Sequence, residues 1–118
     1  FISLAGDTHN SWVSELEDRS GKKVGIELGA PSVTSPGITD LLNLNEKKFI
    51  DSIVDINKEL QWMDPTNRGF LSLNFINNSI SATFHFVERL DTISTKLKSS
   101  QSFKIKRKGL KLEKLNLS

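Results

Sequence analysis

The chain has no cysteine and no tyrosine, a single methionine and two histidines, His9 and His85, among 118 residues. Without cysteine there is no disulfide and no thiolate-held zinc or iron–sulfur site, so a metal would have to be met by other donors. No apolar run approaches the roughly 20 residues that cross a bilayer, and no membrane partner is expected. Proline is down to three, and two of these, Pro31 and Pro36, sit in one small-residue loop. Hydrophobic content of 36% and charged content of 25% are those of a globular protein. The length suits one domain, or part of one, with a modest core. The chain opens on Phe1 with no charged-then-apolar leader, which reads as a fragment of something longer.

What is present begins with Gly6-Asp7-Thr8-His9-Asn10, directly after the apolar run Phe1 to Ala5. That placement predicts a short buried strand whose end opens into the loop. On extended chain, residues two apart project to the same side, which would bring the Asp7 carboxylate and the His9 imidazole together. Oxygen and nitrogen donors of this kind suit a borderline metal ion. Gly6 permits a sharp turn at the strand end.

Further along, Trp12, Val13 and Leu16 fall at helical spacing, so a short helical turn is expected over Ser11 to Asp18. Val24 to Leu28 reads as a second buried strand. The loop Gly29 to Ile38 is too rich in Pro, Gly and hydroxyl residues for regular structure and suits the rim of a pocket. From Asn45 to Leu60, Phe49, Ile50, Ile53, Val54 and Ile56 recur every three or four residues, the pattern of a long amphipathic helix. The chain is then expected to leave it through a turn at Asp64-Pro65. Alternation in Leu71, Leu73, Phe75 and in Ile80, Ala82, Phe84, Phe86 predicts a hairpin closed by Asn77-Asn78. His85 falls on its polar side and reads as a surface residue.

Charge is uneven. The net value is +2, but from Gln101 onward Lys104, Lys106, Arg107, Lys108, Lys111 and Lys114 stand against Glu113. Period-two alternation around Arg107-Lys108-Gly109 predicts a second hairpin with a solvated lysine face, which also protects a sheet edge. No stacking aromatics are interleaved with these charges, so no nucleic-acid partner is expected.

Three segments together resemble the PhoD-like phosphatases (alkaline phosphatase D), a branch of the metallophosphatases. Gly6, Asp7, His9 and Trp12 match a G-D-x-H-x-x-W motif. Glu27, Ser32, Thr34, Ser35 and Gly37 match E-F-x-x-x-S-x-T-S-x-G. Asn57, Asp64, Arg68 and Gly69 match N-P-x-x-x-x-x-D-x-x-x-R-G-Y, with Lys58 in place of Pro, Asn67 in place of a common second Arg and Phe70 in place of Tyr. The resemblance covers roughly residues 1–90, leaving 91–118 as a basic β-hairpin extension.

The resemblance implies an α+β fold, a mostly antiparallel sheet with one long amphipathic helix, forming one side of a four-layer α-β-β-α sandwich. It implies a phosphate ester substrate, calcium and iron as metal ions, and an exported, periplasmic or extracellular enzyme. Asp7 and His9 would be metal ligands, His9 alternatively a donor to phosphate, with Asn10 as a further catalytic contact. Arg68 would bind substrate phosphate or form a structural salt bridge, the 32–35 loop would line the site, and Glu27 would be structural. The family's iron-binding cysteine and tyrosine lie upstream of the G-D-x-H segment, and this chain has neither. It is therefore expected to be the inactive C-terminal part of such an enzyme, needing the missing N-terminal part to fill the metal site. The alternative is a non-catalytic interaction module that keeps the β-scaffold and uses the basic hairpin for contact. A half-sandwich is also expected to expose apolar surface.

Overall fold

A computed structural model describes residues 1–88 and 90–115. The elements in chain order are β1 (Ile2–Ala5), β2 (Ser11–Glu17), β3 (Lys23–Gly29), α1 (Ile38–Leu42), α2 (Glu46–Ile56), β4 (Leu60–Asp64), β5 (Gly69–Ile76), β6 (Ser79–Val87), β7 (Leu97–Lys106) and β8 (Lys111–Leu115). They form two four-stranded sheets, ordered β1-β3-β2-β4 and β5-β6-β7-β8. The expected single sheet is thus two. All pairings are antiparallel except β1 with β3.

The inner faces of the two sheets make one core. Val13, Ile26 and Leu28 from the first sheet meet Ala82, Phe84, Phe86, Phe103 and Ile105 from the second. Trp62 of β4 bridges them, its ring 4.9 Å from that of Phe84 and 5.3 Å from that of Phe103. Fully burying side chains of this size contributes roughly 1.5–3 kcal/mol each, which makes this cluster the main source of stability.

The segment expected to form a helical turn, Ser11 to Asp18, is the strand β2. It lies inside its sheet, bonded to β3 on one side and β4 on the other. Three apolar residues cannot fix a period, and two strand partners satisfying its backbone groups decide the matter. The turn read through Asp64-Pro65 likewise hides β4, whose Trp62 packs against the core while Leu60 is buried beside Ser14 and Ile53. The long helix is shorter than expected, 11 residues, and none of its residues is buried. Asn45 caps it, accepting a hydrogen bond from the Lys48 amide at 3.0 Å. A five-residue helix, α1, precedes it.

The β5–β6 hairpin forms as expected, with Ile76 opposite Ser79 and Asn77 at φ 43°, the left-handed region that two-residue hairpin turns require. In the basic segment β7 pairs with β6 and β8 with β7, so it continues the second sheet. The expectation for 91–118 extends past Leu115 into three residues outside those described.

Candidate functional site

β1 ends at Ala5, and the next five residues hold the first motif. The Thr8 amide donates to the Gly6 carbonyl at 2.9 Å while Asp7 takes φ 71°. Asp7 is therefore the centre of a three-residue turn of the strained, positive-φ kind. His9 is also left-handed, at φ 61°. Neither residue lies on extended chain, so strand alternation does not place their side chains. The common direction expected of the two side chains from the sequence therefore has no basis in strand alternation.

The His9 ring is nevertheless held. Its Nδ1 lies 2.9 Å from the Pro36 carbonyl oxygen, which can only accept, so Nδ1 carries the proton. In the neutral ring this leaves the Nε2 lone pair free, the tautomer that metal-ligating histidines adopt. Asp7 is exposed and His9 half-buried. Asn10 is buried, its side-chain oxygen 3.5 Å from the Ile38 amide at the start of α1.

Arg68 joins the three motifs. Its guanidinium donates to the His9 carbonyl, to Ser32 Oγ at 3.3 Å, to the Pro65 carbonyl at 2.8 Å and to the Thr66 carbonyl at 3.2 Å. It is 2% exposed, and burial lowers its pKa, partly offset by the nearby Asp40 and Asp64 carboxylates. Its partners are carbonyls and a hydroxyl, where the sequence suggested phosphate or a salt-bridged carboxylate. The geometry makes it a brace, and an incoming anion would have to displace these bonds.

The surroundings are shaped for that brace. A Cβ on Gly37 would stand 2.2 Å from Arg68 Nη2 and 2.6 Å from the Pro65 carbonyl, so only glycine fits. Asp64 folds the chain before Arg68 into a tight turn, its carboxylate accepting from the Thr66 amide at 3.0 Å and the Asn67 amide at 2.8 Å. Thr39 Oγ1 donates to the Pro65 carbonyl at 3.1 Å. These supporting roles went unassigned in the sequence reading, although Asp64-Pro65 followed by Thr and Asn is an Asx-turn signal that could have revealed one of them. Ser32 Oγ also donates to the Ser35 carbonyl at 2.5 Å, so the 32–35 loop is tied at both ends of that bond.

Glu27 takes the structural place expected of it, accepting from Trp12 Nε1 at 3.1 Å and from Ser3 Oγ at 3.4 Å. His85 stacks on Phe70 with ring centres 4.7 Å apart, and its Nε2 lies 2.8 Å from Ser72 Oγ. It takes no part in the loop cluster around His9. Among the described residues no group of three or more Asp, Glu, His or Cys side chains could hold a metal ion. Asp7 and His9 are suitable donors, but two donors fall short of a closed metal site.

A family model for PhoD-like phosphatases matches residues 1–84. A solved structure described as "Structure of PhoD" superposes with a TM-score of 0.73 at 18% sequence identity. That likeness covers 99% of this chain and 22% of the solved one, so the chain spans about a fifth of its length. No curated protein matches. The family match extends over all three motif segments that Arg68 ties together, and the chain belongs to the PhoD-like phosphatase family.

Proposed function

We propose that this chain supplies the Asp7–His9 corner of a metal-dependent phosphoester hydrolase, with the remaining ligands coming from outside the 118 residues. The observation that carries this reading is the His9 ring, held through Nδ1 by the Pro36 carbonyl with Nε2 left as the available donor atom. The positive φ at both Asp7 and His9 supports it, since strained backbone is retained where surrounding contacts fix a working geometry. Metal ions in such a site supply polarisation of the phosphoryl oxygens and activation of water. The described residues do not complete that ligand set, so the chain's own part is to place one carboxylate and one imidazole on a braced loop.

Calcium and iron remain the metals this reading favours, from the family resemblance, and an exported location goes with it. Both phosphomonoesters and phosphodiesters are compatible substrates. Arg68 acts through the loop it braces, holding His9 in place, and Asn10 secures the start of α1 against the same loop. The two stacked sheets correspond to the inner layers of a four-layer sandwich, α1 and α2 belonging to an outer one. β7 and β8 extend the second sheet past residue 84, where the family match ends.

The test uses the longer protein and the isolated chain side by side. In the longer protein, His9→Gln and Asp7→Asn are expected to lower kcat by at least about 100-fold, the upper end of what loss of a supporting metal-site residue costs. The isolated chain, given calcium, iron and an aryl phosphodiester, is expected to show no turnover above background. Turnover by the isolated chain, or full activity in His9→Gln, would refute the assignment.

A further inference from the structure

At the opposite end of the sandwich from His9 lies a site of different chemistry. β5 starts beside Arg68 and runs eight residues to Ile76, which at about 3.3 Å per residue puts its tip some 20–25 Å from the brace. There the β5–β6 turn and the β7–β8 connection lie together, the Arg107 amide donating to the Asn78 carbonyl at 2.8 Å. Between the sheets at this end is a cleft of 350 Å³ lined by Phe1, Ile2, Phe75, Ile80, Ile105 and Leu110. Its volume lies within the range of small-molecule sites. Phe75 in its wall is 71% exposed.

Asn77, Asn78, Ser79 and Arg107 also line a neighbouring groove of 750 Å³, which adds Lys104, Lys106 and Lys108 and has no carboxylate among the described residues that line it. Glu113, on the strand paired with β7, is already engaged by Lys106 at 2.7 Å and Lys111 at 3.7 Å. An apolar slot thus opens onto a cationic one through shared residues. Neither half alone defines a ligand: the slot would take any hydrocarbon and the groove any anion. Joined, they are complementary to a molecule that has both.

We infer that this end of the sandwich binds an anionic amphiphile, its hydrocarbon chain in the Phe75–Ile105 cleft and its phosphate or carboxylate headgroup on the groove of Arg107 and Lys108. The inference is independent of the phosphoester reading, because no residue of the His9 loop takes part.

The test is calorimetric titration with dodecyl phosphate below its micelle concentration, beside dodecyl maltoside and inorganic phosphate. Dodecyl phosphate is expected to bind at least about tenfold tighter than either, since each comparator lacks one of the two contributions. The double variant Arg107→Glu, Lys108→Glu should erase its advantage over the maltoside. Phe75→Ser should weaken it by about tenfold, the loss of one apolar contact of that size. All three positions are exposed, and an unchanged Tm would verify that the fold persists. Co-sedimentation with phosphatidylglycerol vesicles but not phosphatidylcholine vesicles would identify a bilayer as the source; monomer binding without sedimentation would identify a free amphiphile. Failure of dodecyl phosphate to bind, equal affinity for the charged and neutral chains, or binding untouched by both variants overturns the inference.

Discussion

Asp7 and His9 hold φ values of 71° and 61°, a region where a side chain clashes with its own backbone and glycine does not. The strain is of order 1 kcal/mol at each position. It persists because the Thr8 amide, the His9 ring and the His9 carbonyl are each bonded to a fixed partner. Asp7→Gly is therefore expected to raise stability by up to about 1 kcal/mol, a Tm gain of roughly 3–6 °C at this size, while removing the proposed ligand. Thermal melts of the two chains measure this, and a lower Tm for the glycine variant would count against strain at Asp7. Arg68 works the other way. Arg68→Ala strands buried carbonyls and should cost about 3 kcal/mol, and Arg68→Lys should recover little, because an ammonium cannot span the acceptors of a planar fork. Chemical denaturation of both variants separates lost charge from lost geometry.

Among the elements, α2 and β6 differ widely in how firmly they are held. No residue of α2 is buried, whereas β6 is bonded on both edges and contributes Ala82, Phe84 and Phe86 to the core. Local opening free energy follows buried contact, so α2 amides are expected to exchange with solvent far sooner than those of β6. Hydrogen exchange read by NMR tests this, and equal protection in the two would mean that α2 is held by contacts not evident here. Close packing also fixes Gly29, opposite Trp12 in the β2–β3 pair. A Cβ there would stand 2.1 Å from the Trp12 ring. Gly29→Ala should push the indole off its hydrogen bond to Glu27, a change visible in tryptophan fluorescence.

For the whole molecule, acid sets one limit. Glu113 is held below the usual carboxylate range first by its hydrogen bond to Lys106, and Asp18 first by its hydrogen bond to Ser20. A carboxyl whose pKa is lowered by folding stabilises the fold above its unfolded value and loses that contribution as pH falls through the folded one. Tm is accordingly expected to be flat from neutral pH down to about 5 and to fall below about 4, with Glu113→Gln and Asp18→Asn flattening the fall. Added salt should weaken the Glu113 part, because its partners are at the surface. Apolar exposure sets another limit. Leu41 is 68% exposed, Leu42 59% and Ile56 80%, which leaves the helices uncovered on one side. Self-association at high concentration, with binding of a hydrophobic dye, is the expected behaviour of the isolated chain. A clean monomer without dye binding in size-exclusion chromatography would contradict it.

The amino-acid order by itself determined both hairpins and the α2 segment, because turn residues and short periods are local signals, and its three motif segments carried the resemblance to the family. Asn77-Asn78 declares its turn wherever it sits, and Asp7, His9 and Arg68 keep their spacing regardless of what they touch. Tertiary structure decided what those residues meet. β2 became a strand because β3 and β4 flank it, one sheet became two because Trp62 of the first packs at a tilt against Phe84 and Phe103 of the second, and Arg68 became a brace because the distant His9 carbonyl and Ser32 hydroxyl meet its guanidinium. Each of these outcomes depends on partners far apart in sequence, where hydrogen-bond satisfaction and close packing outweigh local preference.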